Sequence, residues 1–173
     1  NNTLPRFGIT TTFVDPDDVE NFAKAVQPNT RAFFAESLGN PKLDVLDLKS
    51  ISEHAKAAKV PFIVDNTIAT PALLNPIEYG ANIVIHSLTK YITGNGTTIG
   101  GVIIDAGTFH YSNGNFPEFT EPSPSYHGLK YHDVLGPIAF IARVRIEGLR
   151  DLGSAPSPLN SFQVIQGLET LEV

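Results

Sequence analysis

FIVDNTIATPALLNPIEYGANIVIHSLTKYITGNGTTIGG, residues 62–101, is the stretch around which the rest of the chain arranges itself. Phe62-Ile63-Val64 is a short apolar run that stops at Asp65-Asn66-Thr67. Ile83-Val84-Ile85 is a second, and it stops at His86-Ser87-Leu88-Thr89-Lys90. Continuous runs of this length, rich in β-branched residues, suit strands covered on both faces. In an open parallel sheet, ligands gather at the carboxyl ends of the strands, where both polar clusters fall. An acid, two hydroxyls and a lysine would converge there on one crevice. That set suits a phosphorylated, positively charged ring compound held by a lysine.

The flanking sequence repeats the pattern. Ile9 to Val14 reads as a strand with alternate threonines, closed by Asp15-Pro16 because the residue before proline avoids the helical region. Asp17 and Glu20 have capping-box spacing, and Val19, Phe22, Ala23 and Val26 follow at helical spacing. Arg31 to Glu36 is the next strand. A helix then starts from an Asp47 cap with Leu48, Ile51, Ala55 and Ala58 on one face. Strand, helix, strand, helix, strand predicts an α/β fold with a mostly parallel sheet flanked by helices. Past Lys90 the chain is glycine-rich to Gly101, and Val102 to Asp105 forms a further strand. Residues 106–133 carry no period, and a long segment of that kind is more often functional than a plain connector. Ile138, Ile141, Ala142, Arg145 and Leu149 define a helical face. Ser157-Pro158 opens a last helix with Phe162, Ile165, Gln166 and Leu168, for which nothing later in the chain offers a packing partner.

Composition excludes several classes of function. The formal charge of −6 argues against non-specific nucleic-acid binding, and no apolar run approaches membrane-spanning length. Zero cysteines exclude disulfides and thiolate chemistry and are compatible with a cytoplasmic protein. The five histidines show no paired spacing, so no metal site is expected. GNGTTIGG (Gly94–Gly101) is not a dinucleotide loop: Ile99 stands where the third glycine belongs, and a strand rather than a helix follows. The chain lacks methionine and begins at Asn1-Asn2, and it is read as a piece of a longer protein.

Three patterns in order carry a resemblance: Glu36-Ser37-x-x-Asn40-Pro41, Val64-Asp65-Asn66-Thr67 and Ser87-x-Thr89-Lys90-Tyr91. Together with GTTIGG, the run from Thr120 to Gly128 and the closing Gln166-Gly167-Leu168-Glu169-Thr170-Leu171, they make the chain similar to the Cys/Met-metabolism branch of fold-type-I pyridoxal-phosphate (PLP) enzymes. Asn95 stands where that family usually has histidine. The resemblance implies that residues 1–150 are the central part of the large PLP-binding domain. Residues 151–173 would begin a helical connection toward a C-terminal domain. It further implies a longer protein whose upstream region brings a ring-stacking tyrosine and whose C-terminal domain brings a carboxylate-binding arginine.

By the same resemblance, Lys90 forms the Schiff base with the cofactor and later serves as the base at the substrate Cα, so its amine must be able to lose its proton, which burial favours. Asp65 sits against the pyridine nitrogen and keeps it protonated. Ser87 and Thr89 offer hydroxyls to the phosphate, since a spacing of two puts both on one side of an extended chain. Asn40 hydrogen-bonds the ring oxygen, and Thr67 either supports Asp65 or simply packs. The implied reaction is a γ-replacement on O-acetyl-L-homoserine by sulfide or a thiol, in a homotetramer built as a dimer of dimers. A synthase or lyase sister of the same branch and a cofactor-binding remnant without turnover are the alternatives. The segment from Thr108 to Tyr131 is expected either to reach the active site with Tyr126 and His127 or to pack on the surface or another subunit.

Overall fold

Three short strands, β1 (Phe33–Glu36), β2 (Phe62–Asp65) and β3 (Ile83–Ser87), run parallel, and β4 (Gly101–Asp105) joins β3 antiparallel, in the order β1-β2-β3-β4. The computed structural model describes residues 2–173. Around the sheet lie α1 (Glu20–Lys24), α2 (Leu48–Ala57), α3 (Thr70–Leu73), α4 (Pro117–Thr120), α5 (Tyr131–Leu135), α6 (Ala139–Arg143), a π-helix (Val144–Asp151) and α7 (Pro158–Leu168). The α/β class, with a mostly parallel sheet, is as the sequence predicts.

Residue order explains the main core. Asp47 caps α2 by accepting the Ser50 amide at 3.1 Å, and helical spacing then places Leu48, Ile51 and Ala55 on one buried face. These meet Phe33 and Ala35 of β1, Phe62 and Val64 of β2 and Val84 of β3, with Phe22 of α1 closing the layer. Each fully buried large side chain contributes about 1.5–3 kcal/mol relative to exposure.

The expectation that the strands are covered on both faces holds in β3, where the successive residues Ile83 and Val84 are both buried, and is corrected in β2, where Ile63 is only half-buried. Burial alternates along β1 and β2, and the second face leaves Phe34 at 56% and Ile103 at 43% exposed. The strand expected at Ile9 to Val14 is absent: the segment has no regular structure, and Phe13 is exposed. A strand persists only by pairing, and this segment joins none of the four. The expected capping box does not form: the N-cap of α1 is Val19, which makes no side-chain cap bond, and the Glu20 amide donates to Asp18 rather than Asp17.

Residues 106–133 are far from structureless. Tyr111, Phe116, Phe119 and Tyr131 form a second buried cluster with Ala139, against which Phe109, Tyr126, Phe140 and Ile146 pack. Tyr111 and Phe119 stack at 4.1 Å, and the Arg31 guanidinium lies 4.5 Å over the Phe116 ring while pairing with Glu118. This cluster turns the expected helical face after Pro137, leaving Ile138 exposed while Ala139 is buried. In α7 the residues packed inward are Val164 and Gly167, and the apolar face of Phe162, Ile165 and Leu168 is left exposed, as expected of a helix without a later packing partner.

Candidate active site

The strand ends carry two rows of polar side chains. Register pairs Glu36 with Asp65 and Asp65 with Ile85, so Ser87, two residues beyond Ile85, shares their face. The next residue of each strand points the other way, and Ser37, Asn66 and His86 form the buried row. In that row the Ser37 hydroxyl donates to Asn66 Oδ1 at 2.6 Å, and Asn66 Nδ2 donates to the carbonyls of Thr70 at 3.0 Å and Leu74 at 2.8 Å. His86 Nδ1 donates to the Asn66 carbonyl at 3.1 Å. Asn66 thereby ties the ends of β1 and β3 to α3, with its side-chain groups all satisfied inside the protein.

Burial lowers the His86 pKa from its ordinary 6.5, against smaller raising effects of the Asn66 carbonyl and Asp65. In the unfolded chain this imidazole takes up its proton near its ordinary value, while the folded one resists. The unfolded state therefore binds more protons below that point, and stability falls as pH drops through about 6.5 and is fully present above it. His86→Gln is accordingly expected to be less stable at pH 7.5 but to lose less on acidification to pH 5.5. Urea midpoints at the two pH values check this, and an unchanged acid loss would show that His86 does not titrate there.

The other row opens into a cleft of about 530 Å³ lined by Glu36, Leu38, Asn40, Asp65, Thr67, Ile68, Ser87, Lys90, Tyr91 and Gly94. A relay of hydrogen bonds holds its acid. The Ser87 amide donates to Thr67 Oγ1 at 2.8 Å, and the Thr67 hydroxyl donates to Asp65 Oδ1 at 2.5 Å. The Thr67 amide donates to the same oxygen at 3.0 Å. Asp65 Oδ2 receives no hydrogen bond from the described residues, which leaves one carboxylate oxygen for a ligand. The Asn40 amide donates to Glu36 Oε2 at 3.1 Å, folding the chain after β1 over the cleft edge.

Five of the six predicted site residues, Lys90, Asp65, Thr67, Ser87 and Asn40, thus line one cleft. Thr89 does not. The chain leaves the extended conformation after Ser87, with the Lys90 amide donating to the Ser87 carbonyl at 3.2 Å, so the alternation that would have put Ser87 and Thr89 side by side ends there. The Thr89 hydroxyl instead donates to the Gly100 carbonyl at 3.2 Å and accepts the Gly100 amide at 3.1 Å. Lys90 is exposed rather than buried, because the walls that the described residues build are only the strand ends and the Leu88–Gly94 turn. No residue from Thr108 to Tyr131 lines the cleft; Tyr126 packs against the aromatic cluster. Glu36 and Tyr91 also line the cleft, beyond the residues the sequence predicts there. The signal for Glu36 was its place at the end of a strand pairing with the one that ends in Asp65.

This donor set would fit PLP: a lysine amine for the aldehyde, a supported carboxylate for the pyridine nitrogen and a strand-end hydroxyl for the phosphate, all at the carboxyl ends of parallel strands. The fold is that of a PLP-dependent enzyme. The chain belongs to the Cys/Met metabolism PLP-dependent enzyme family, whose model matches residues 1–173. It is 55% identical over 177 residues to an O-acetyl-L-homoserine sulfhydrylase of Leptospira meyeri, covering 98% of this chain and 40% of that protein. To the O-acetyl-L-homoserine sulfhydrylase of Corynebacterium glutamicum it is 50% identical over 177 residues, covering 99% of this chain and 40% of the relative. Its fold matches, with a TM-score of 0.93 and 42% identity over 98% of this chain and 42% of the other, a Campylobacter jejuni protein provisionally named O-acetylhomoserine (thiol)-lyase. That structure holds N'-pyridoxyl-lysine-5'-monophosphate. The chain thus spans about 40% of the length of the curated relatives it matches.

Proposed function

We propose that the whole protein is an O-acetyl-L-homoserine sulfhydrylase, which replaces the acetate on the γ-carbon of O-acetyl-L-homoserine with sulfide, or with a thiol, to give L-homocysteine, or L-methionine, and acetate. The observation that carries the reading is the meeting of Lys90, Asp65, Thr67 and Ser87 in one cleft, in a chain 55% identical to a sulfhydrylase.

PLP supplies, when bound, an electron sink for charge developing at the substrate Cα. Lys90 would hold the cofactor through its Nζ and, with that amine free, would take the substrate Cα proton on it. Asp65, held in place by the Thr67 amide and hydroxyl, would offer its free oxygen to the pyridine nitrogen and keep the ring charged. Ser87 would hold the phosphate through its hydroxyl, and Asn40 would hold the ring oxygen. Thr89 is assigned to the phosphate only if its hydroxyl leaves Gly100. At the γ-carbon the C–O bond to acetate breaks and a C–S bond to sulfide forms. We place the enzyme in the cytoplasm as a homotetramer, a reading supported by its likeness to biosynthetic enzymes.

Lys90, Asp65 and Ser87 serve any member of the branch, so the test lies in the acceptor. Given O-acetyl-L-homoserine, the intact enzyme should make homocysteine from sulfide faster than cystathionine from cysteine. It should also be slow to release ammonia from methionine. Faster use of cysteine would make it a cystathionine γ-synthase, and dominant ammonia release a lyase.

A further inference from the structure

The turn that carries Lys90 is gripped from a side the cleft does not touch. Beyond Lys90 the chain folds back through Ile92 and Thr93, both almost wholly buried, with the Thr93 amide donating to the Leu88 carbonyl at 3.0 Å and the Gly94 amide to the Lys90 carbonyl at 2.9 Å. α7 lies directly on this backbone. At Gly167 a Cβ would stand 2.5 Å from the Ile92 carbonyl oxygen and 2.6 Å from Thr93 Cα, with the Thr93 carbonyl oxygen nearer still. The backbone at Gly167 is not left-handed, so its own conformation would accept alanine; the neighbouring main chain forbids it. Those neighbours are main-chain atoms, which cannot rotate away as a flexible side chain could. At the other end of the same contact, Asn160 Nδ2 donates to the Ile99 carbonyl at 3.0 Å. Thr89, adjoining Lys90, is clipped to Gly100 next to Ile99.

We propose that Gly167 is a positioning residue for Lys90: the missing side chain lets α7 seat on Ile92 and Thr93 and so sets where the lysine turn stands against Asp65. The inference rests on Lys90 being the cofactor lysine.

Gly167→Ala in the full-length enzyme is the test. Alanine for glycine ordinarily strengthens a helix, so a residue without this role would gain stability or show no change. The expected result is the reverse: kcat falls about 100-fold with KM for O-acetyl-L-homoserine held, as for a misplacement of about 1 Å in a reacting group. In the cofactor-free protein, hydrogen exchange at the Thr93 and Gly94 amides should accelerate. Gly148→Ala is the control, because its Cβ would meet only Val144 Cγ1, at an ordinary 3.8 Å, and neither readout should move. Should Gly167→Ala fail to fold, Asn160→Ala loosens the other end without a clash and should lower kcat less while speeding exchange at Gly100. Unchanged kcat and unchanged exchange in the folded variant overturn the proposal. If borohydride reduction of the wild-type enzyme labels a lysine other than Lys90, the reading of Lys90 fails, while the exchange data still report whether α7 braces the turn.

Discussion

Lys90→Ala in the full-length protein is expected to abolish covalent attachment of the cofactor and to lower turnover by at least about 10²–10⁴-fold, the range that a positioned proton-transfer group supplies. Two roles are lost together, the nucleophile that holds the cofactor and the base at the substrate Cα, so the effects of other substitutions should not add to this one. Borohydride reduction of the wild-type protein followed by peptide mass mapping should place the label on the peptide containing Thr89-Lys90-Tyr91. Fold is not at stake, since Lys90 is exposed and its amide and carbonyl bonds remain in the alanine variant. Label on a different lysine, or near-normal turnover in Lys90→Ala, would remove Lys90 from the mechanism.

Asp65→Asn is expected to lower turnover by about 10²–10³-fold while some cofactor stays bound, the loss typical of removing one preorganised electrostatic contact in a reaction site. The amide oxygen can still accept from the Thr67 amide and hydroxyl, so the relay from Ser87 through Thr67 survives. What is lost is the negative charge opposite the pyridine nitrogen. Thermal stability close to wild type with collapsed turnover is the expected pattern. Normal turnover in this variant would show that Asp65 does not contact the ring.

The cleft residues were legible because each stands at a strand end. Apolar runs that stop at Asp65 and Ser87 announce both the strand and the polar residue delivered by it, and Lys90 follows within a turn. Where the structure departs from the local pattern, one cause recurs. Ile9 to Val14 has the alternation of a strand, but alternation does not create a pairing partner. Thr89 has the spacing of a second phosphate hydroxyl, but that spacing holds only while the chain is extended, and the strand ends at Ser87. The segment from Thr108 to Tyr131 has no period because its order comes from rings packing on one another, with Tyr111 at the centre, rather than from a repeating backbone.

By itself, the sequence determined the α/β class, the cap at Asp47, the helix start at Ser157-Pro158, the strands at Phe62 and Ile83, and the lysine and acid that meet in one cleft. All of these depend on interactions within a few residues, where side-chain period and chain stiffness leave little choice. Only the tertiary structure decided that Ser37, Asn66 and His86 form a buried row behind the cleft, that Thr89 closes on Gly100, and that Gly167 seats α7 against the lysine turn. These contacts join residues from 11 to more than 70 positions apart. They exist because backbone groups in different segments come within hydrogen-bonding or van der Waals reach, and local period does not encode that distance.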